Sequence, residues 1–284
     1  MLKITIMSKD KKIILITGAS SGIGRETALQ LAKKGHKVFA GIRRKIDKIE
    51  LESLHKNITG VYLDVTNQGG IDKAFWFVIK HTDKIDVLIN NAGIVVAGPI
   101  EFIPIKNIKE QFDTNTFGAL AVTQKFLPFL KNGKIINVSS MAASGLFPYI
   151  SPYCASKRAM DILFNSLMLE NKDNIKVISV KPAAIKTPIW NKSVKRTKNQ
   201  FENLSEVAKQ KYNKELTFLE QNALENNTKG IEIKEVTDTI LKIIETKNPK
   251  PTYNVGTKAT LVEILGKLPL SLTNNFIKRT LKKI

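Results

Sequence analysis

The stretch Ile13-Ile14-Leu15-Ile16-Thr17-Gly18-Ala19-Ser20-Ser21-Gly22-Ile23-Gly24 decides the fold. Its first five residues form an apolar and β-branched run, as a strand buried on both faces requires. Glycines then open a tight turn. From Gly22 the pattern becomes helical, with Ile23, Ala28, Leu31 and Ala32 on one side and Gly35 as the stop. A glycine-rich turn between a buried strand and a helix brings backbone amides and the positive helix end toward a phosphate. Gly18, Ser20, Ser21, Gly22, Ile23 and Gly24 are therefore candidate cofactor contacts. Their spacing is G-x-x-x-G-x-G, distinct from the common G-x-G-x-x-G dinucleotide fingerprint.

Working outward, β-rich runs at residues 37–42, 59–63, 85–90, 134–138 and 175–180 alternate with helical patterns at 45–56, 71–81, 106–130 and 152–171. That alternation predicts an α/β fold: a doubly wound parallel sheet of Rossmann type with helices on both faces. After Pro182 the rhythm changes. Residues 187–228 are polar, lysine-rich and helical in period, too long for a simple crossover, and read as two helices forming a lid. A helix at 234–246 and a strand at 252–255 complete the sheet. One domain is expected over residues 12–256, including the insertion 187–230, followed by a basic extension at 257–284.

A chain of 284 residues with 43% hydrophobic content can bury a substantial core. Its single cysteine, Cys154, excludes an intrachain disulfide framework and fits a reducing, cytoplasmic setting. Beside Tyr153, this thiol is either reagent-sensitive or simply packed. No apolar run reaches the ~20 residues that span a bilayer. Residues 1–12 are too short for a secretory signal, and Met7 is a second candidate start. The net charge of +20 is spread along the chain rather than gathered into a basic face with interleaved aromatics. This argues for solvated surface and against nucleic acid as a partner, while favouring approach of an anionic phosphate.

Two further groups of residues carry chemistry. The second strand ends Ala40-Gly41-Ile42-Arg43-Arg44, with no acid before Asp47. An acid there would bind the ribose hydroxyls of NAD(H), whereas an arginine accommodates the phosphate of NADP(H). Arg43 therefore selects NADP(H) over NAD(H), unless both arginines are ordinary surface residues of a basic protein. The second group is Tyr153 and Lys157, one helical turn apart, with Ser140 upstream. A neighbouring ammonium favours the phenolate and brings the tyrosine toward a useful acid–base range. A hydroxyl from another element can then hold a substrate oxygen.

With these residues in view, the chain resembles the short-chain dehydrogenase/reductase family over roughly residues 12–187. The glycine turn matches its T-G-x-x-x-G-x-G, and Asp64 with Val65 matches the position after the third strand that contacts adenine. Asn90-Asn91-Ala92-Gly93 matches N-N-A-G, while Asn115, Ser140, Tyr153 and Lys157 match the catalytic tetrad. The resemblance implies hydride transfer between a nicotinamide and a carbonyl or alcohol carbon. In it Tyr153 is the acid/base and Lys157 lowers its pKa and binds ribose. Ser140 holds the substrate oxygen, and Asn115 holds a water. Asn91, Ala92, Gly93, Ile185 and Thr187 join the cofactor contacts. Pro182-Ala183 replaces the family's Pro-Gly, restricting that turn, and Ser21 stands where NADP-preferring members often carry a basic residue. The resemblance also implies homodimers or homotetramers built on the long helices. A regulator that binds dinucleotide without turnover is the alternative, opposed by the complete tetrad.

Residues 145–150, Gly-Leu-Phe-Pro-Tyr-Ile, offer an apolar wall and point to a hydrophobic carbonyl or alcohol substrate. Lys250-Pro251-Thr252-Tyr253-Asn254-Val255-Gly256, with Leu268-Pro269 beyond, is similar to the end of the retinol and hydroxysteroid dehydrogenase-like branch. Phe276, Ile277, Thr280, Leu281 and Ile284 line one helical face, and Lys278, Arg279, Lys282 and Lys283 lie elsewhere. Such a helix suits an anionic membrane surface, making the protein peripheral there, or packs on its own domain or a partner subunit.

Overall fold

A computed structural model describes residues 11–130, 132–202 and 206–281; the candidate start at Met7 lies outside them. Seven strands form one parallel sheet in the order β3-β2-β1-β4-β5-β6-β7. They are β1 (Ile13–Ile16), β2 (Lys37–Ile42), β3 (Ile58–Tyr62), β4 (Val87–Asn90), β5 (Lys134–Val138), β6 (Lys176–Pro182) and β7 (Thr252–Val255). The order reverses between β1 and β4, whose registers pair Ile14 with Val87 and Ile16 with Ile89. In such a sheet the crevice beyond the carboxyl ends of the strands at this switch point takes the ligand.

Strand side chains alternate between two cores. On one face Ile14, Ile16, Val38, Ile89 and Val180 pack under α1 (Gly22–Lys33), α2 (Lys45–Leu54) and α9 (Ile233–Glu245). On the other, Leu15, Phe39, Leu88 and Ile135 pack under α3 (Gln68–Ile79), α5 (Gly118–Phe126) and α6 (Ser151–Glu170). Both faces being covered explains the lack of polar alternation in the strands.

The helix expected over 106–130 is broken into α4 (Ile105–Phe112), a π-helical turn at Asp113–Phe117, and α5. Such π-turns recur at functional sites, and this one carries Asn115. The insertion consists of α7 (Ile189–Glu202) and α8 (Glu206–Lys229). It leaves and returns at one neck, where Ile231 N donates to Ala184 O at 2.9 Å and Lys186 N donates to Ile231 O at 3.1 Å. Its far end is anchored by Arg196, which donates to both oxygens of Glu110 at 2.7 and 2.9 Å. Tyr212, at a kink in α8, donates to Glu101 at 2.7 Å. The tail forms α10 (Thr257–Leu265) and α11 (Leu270–Leu281). Of the apolar face expected there, Ile277 is half-buried; the side chains of Phe276, Thr280 and Leu281, and Ile284 as a whole, lie outside the described set.

Candidate active site

The turn after β1 is shaped by close backbone approach. Gly18 has φ +65°, and a Cβ on Gly24 would stand 2.4 Å from Gly18 O and 2.5 Å from Asn91 Nδ2. Asn91 Nδ2 donates to Thr17 O at 3.0 Å and Gly18 O at 2.9 Å, stitching the turn to the end of β4. Thr17 Oγ1 returns the tie by accepting from Asn91 N and Ala92 N, each at 3.0 Å. Ser21, the N-cap of α1, makes no side-chain cap bond. The first amides of α1 therefore keep no side-chain cap at a rim suited to an anion.

A cavity of about 1290 Å³ opens over the carboxyl ends of the strands. It exceeds the ~300–1,000 Å³ of an ordinary small-ligand site, leaving room for two molecules side by side. Gly18, Ser20, Ser21, Gly22, Ile23, Arg43, Asp64, Val65, Asn91, Ala92, Gly93, Ser140, Tyr153, Lys157, Ile185 and Thr187 all line it. Gly24 and Asn115, both buried, stand behind the lining. Asp64 Oδ1 also closes a local turn on Thr66 N at 3.0 Å. Ala183 adopts no positive φ; the left-handed residue near that turn is Gly256, at +88°.

The two arginines at the end of β2 have different fates. Arg44 donates from Nε and Nη2 to the oxygens of buried Asp47 at 2.9 and 2.5 Å, and these bonds hold that carboxyl below its ordinary range. Among the described residues Arg43 has no ion pair or hydrogen bond, and it stands at the cavity edge. The nearest acid downstream is thus already neutralised, and Arg43 is the guanidinium left over.

Asn115 is fully buried. Its Oδ1 accepts from Ile94 N at 2.8 Å, and its Nδ2 donates to Ile94 O and to Ser156 Oγ, both at 3.0 Å. Both amide hydrogens are committed, so the side chain braces α6 against the loop after β4. Lys157, 3% exposed, donates from Nζ to Val138 O at 2.7 Å. Burial pushes its ammonium down to about 8, with Asp161 opposing. Tyr153 shows its surface to the cavity interior rather than to bulk water, and burial pushes the phenol up to about 12, with a Ser140 hydrogen bond pulling it back. The downward shift expected from Lys157 is absent here: desolvation sets the direction, and the downward pull comes from Ser140. Burial likewise pushes the Cys154 thiol up to about 11, making it a packed residue rather than a reactive one.

The apolar wall of residues 145–150 lines the cavity as expected. Tyr149 holds a left-handed φ of 66°, and its carbonyl accepts from Gly98 N at 2.7 Å. Sequence reasoning missed a further part of the lining: Val262, Leu265, Leu268, Leu272 and Ile277 of the tail also face the cavity. The tail is keyed to the Ser140 turn. A Cβ on Gly266 would stand 1.7 Å from Ser144 O, so backbone rests on backbone there. Glu263 accepts from Ser144 Oγ and from Lys181 Nζ, the latter at 3.1 Å. Lys181 in turn lies 3.3 Å from Asp161 Oδ2. The recurrent leucines of residues 261–272 were the available signal.

A doubly wound sheet with tyrosine, lysine and serine converging below a glycine-rich phosphate turn defines a nucleotide-dependent oxidoreductase. Comparison with known proteins agrees: a family model described as short chain dehydrogenase matches residues 12–198, and the chain belongs to that family. It is 29% identical over 282 residues to the NADPH-dependent 3-dehydrocapnine reductase of Ornithobacterium rhinotracheale, covering 95% of this chain and 97% of that one. It is 32% identical over 259 residues to the 3-ketodihydrosphingosine reductase of Bacteroides thetaiotaomicron, covering 89% and 90%. Its fold is similar to that of a short chain dehydrogenase from Burkholderia cenocepacia solved in complex with NADP. That likeness has a TM-score of 0.72 and 23% identity, and covers 94% of this chain and 97% of that one.

Proposed function

We propose that the protein is an NADPH-dependent reductase of a ketone or aldehyde carried on a hydrophobic substrate, with Tyr153 as proton donor. The convergence of Ser140, Tyr153 and Lys157 in one cavity with the glycine turn and Arg43 carries this reading. The residues present fit the cofactor: a tight glycine turn with uncapped amides for the pyrophosphate, and an unpartnered guanidinium for the additional phosphate of NADP. The relative named as NADPH-dependent supports the same choice. When bound, the nicotinamide supplies hydride to the carbonyl carbon.

The chain's own residues do the rest. Ser140 Oγ accepts from Ala142 N at 3.1 Å, and its hydrogen, directed at Tyr153 in the protein alone, would turn to the substrate oxygen. The Tyr153 hydroxyl delivers the proton to that oxygen, turning C=O into CH–OH, and Lys157 stabilises the phenolate left behind. Val138 O fixes the lysine head, leaving its other hydrogens for a ribose hydroxyl and the phenolate. Asn115 keeps α6 in place, and the one lone pair left on its Oδ1 is available to a water. The names of the two relatives, both reductases and one of a keto compound, support the reducing direction. The apolar side chains that residues 145–150 and the tail add to the lining support a lipophilic substrate. Self-association is placed on the outer faces of α5 and α6, supported by the exposure of Ile162 (60%) and Leu169 (83%) on α6 and of Phe117 (54%) beside α5.

The test is NADPH consumption with ketones of increasing chain length, in the wild type and in Tyr153→Phe. The variant should bind NADPH normally while turnover falls roughly 10²–10⁴-fold. Retention of most turnover would remove Tyr153 from the chemistry.

A further inference from the structure

Helices α10 and α11 invert the usual arrangement of a surface segment. Leu261, Ile264, Leu265, Leu268 and Leu272 are 38–59% exposed. Glu263, the single acid among residues 257–284, is instead turned inward on Lys181 and Ser144. The outward charge is therefore entirely positive. Lys258, Lys267 and Lys278 are exposed, and Arg279, Lys282 and Lys283 follow in the sequence. The same segment supplies Leu265, Leu268 and Leu272 to the cavity lining, so these three exposed leucines join the outer surface to the cavity.

We infer that this two-helix segment docks the protein on an anionic lipid bilayer, with the cavity mouth opening toward the acyl region so that a lipophilic substrate enters from the membrane. Exposed leucines rimmed by lysines are what a headgroup–acyl boundary accepts: apolar side chains enter it while ammonium groups meet lipid phosphates. A second copy of this chain is the poorer occupant. Two such segments face to face would oppose like charges within a molecule already at +20. Substrate delivery rests on the reductase reading above; docking itself does not.

The test is sedimentation of the full chain with extruded vesicles of phosphatidylcholine alone, or with one third phosphatidylglycerol. It compares the wild type with the double variants Leu261→Glu/Ile264→Glu and Lys258→Glu/Lys267→Glu. None of these four residues lines the cavity, so reduction of a short, water-soluble ketone checks folding and should stay within about twofold. The wild type should bind phosphatidylglycerol vesicles at least tenfold more tightly than neutral ones. Both double variants should lose at least tenfold, and salt should weaken wild-type binding. Absence of wild-type binding, or binding untouched by both variants, would overturn the inference. So would a wild-type dimer split by Leu261→Glu/Ile264→Glu without vesicle binding, because the occupant would then be a second copy. Vesicle binding without ketone turnover would leave docking standing and remove the reductase reading.

Discussion

Replacing Arg43 with alanine removes a guanidinium that has no partner among the described residues, so the folded protein gives up little. In the NADPH complex the same side chain would lose a charge-assisted contact, which contributes about 1.5–3 kcal/mol. Exposure at the cavity edge places Arg43 near the lower end, corresponding to a ~10–30-fold rise in Kd for NADPH. NADH lacks the additional phosphate, so its Kd should move by less than about twofold. Arg44→Ala is the internal control. It should leave both affinities nearly unchanged yet lower Tm, because it strands Asp47, only 4% exposed, without the bonds that hold its carboxyl ionised. Parallel fluorescence titrations with the two cofactors, alongside thermal melts, read all four quantities. Equal weakening of NADPH and NADH by Arg43→Ala would refute the reasoning. A selectivity change centred on Arg44→Ala would refute it as well.

Two further outcomes follow from the site geometry. Gly24→Ala would place a methyl 2.4 Å from Gly18 O and 2.5 Å from Asn91 Nδ2. It should cost roughly 1–3 kcal/mol, seen as a fall in Tm, and weaken NADPH at least tenfold; an unchanged melt would mean that the turn yields. Lys157→Met probes burial of charge in the protein alone. Because burial holds the folded ammonium near about 8, against an ordinary 10.5, the unfolded chain binds the extra proton between those values. The wild type therefore gains stability as pH rises through that window. The variant should be more stable at pH 7 by on the order of 1–3 kcal/mol, with the difference closing toward pH 10. Lys134, also near about 8, titrates in both proteins and cancels. Above pH 10 the raised Tyr153 acts in the opposite sense, so the series ends there. Urea midpoints that stay parallel from pH 7 to 10 would contradict the assignment.

The parts of the fold legible in the sequence are those governed by local pattern. Strand Ile13–Ile16 is a continuous apolar run, Lys134–Val138 is built around Ile135, Ile136 and Val138, and α1 announces itself by glycine turn, apolar stripe and terminal Gly35. The two helices of the insertion followed from period and length in the same way. What escaped depends on distant partners. The π-turn at Asp113–Phe117 sits in a sequence whose helical period runs on, and from it Asn115 bonds both Ile94 and Ser156, partners that no local pattern reveals. The tail's place on the cavity rests on Glu263 meeting Lys181, 82 positions away. The Tyr153–Lys157 pair was visible as a motif, but its electrostatics were set by desolvation, which no spacing reveals.

The π-turn has a consequence for how this chain tolerates change in length. One extra residue is accommodated per π-turn, so α4 and α5 are offset in angular phase by about 100° from a continuous helix. Deleting any one of residues 113–117 would allow regular α-helical bonding to close over the gap. That shorter helix would be better bonded locally, yet it would swing Val122 and Phe126 of α5 off the core while α4 stayed put. Length in this segment is therefore quantised: substitutions are absorbed one at a time, whereas a single lost codon rotates α5 by about 100°. The irregular turn acts as a phase marker between the helix that anchors the insertion through Glu110 and the helix that packs on the sheet.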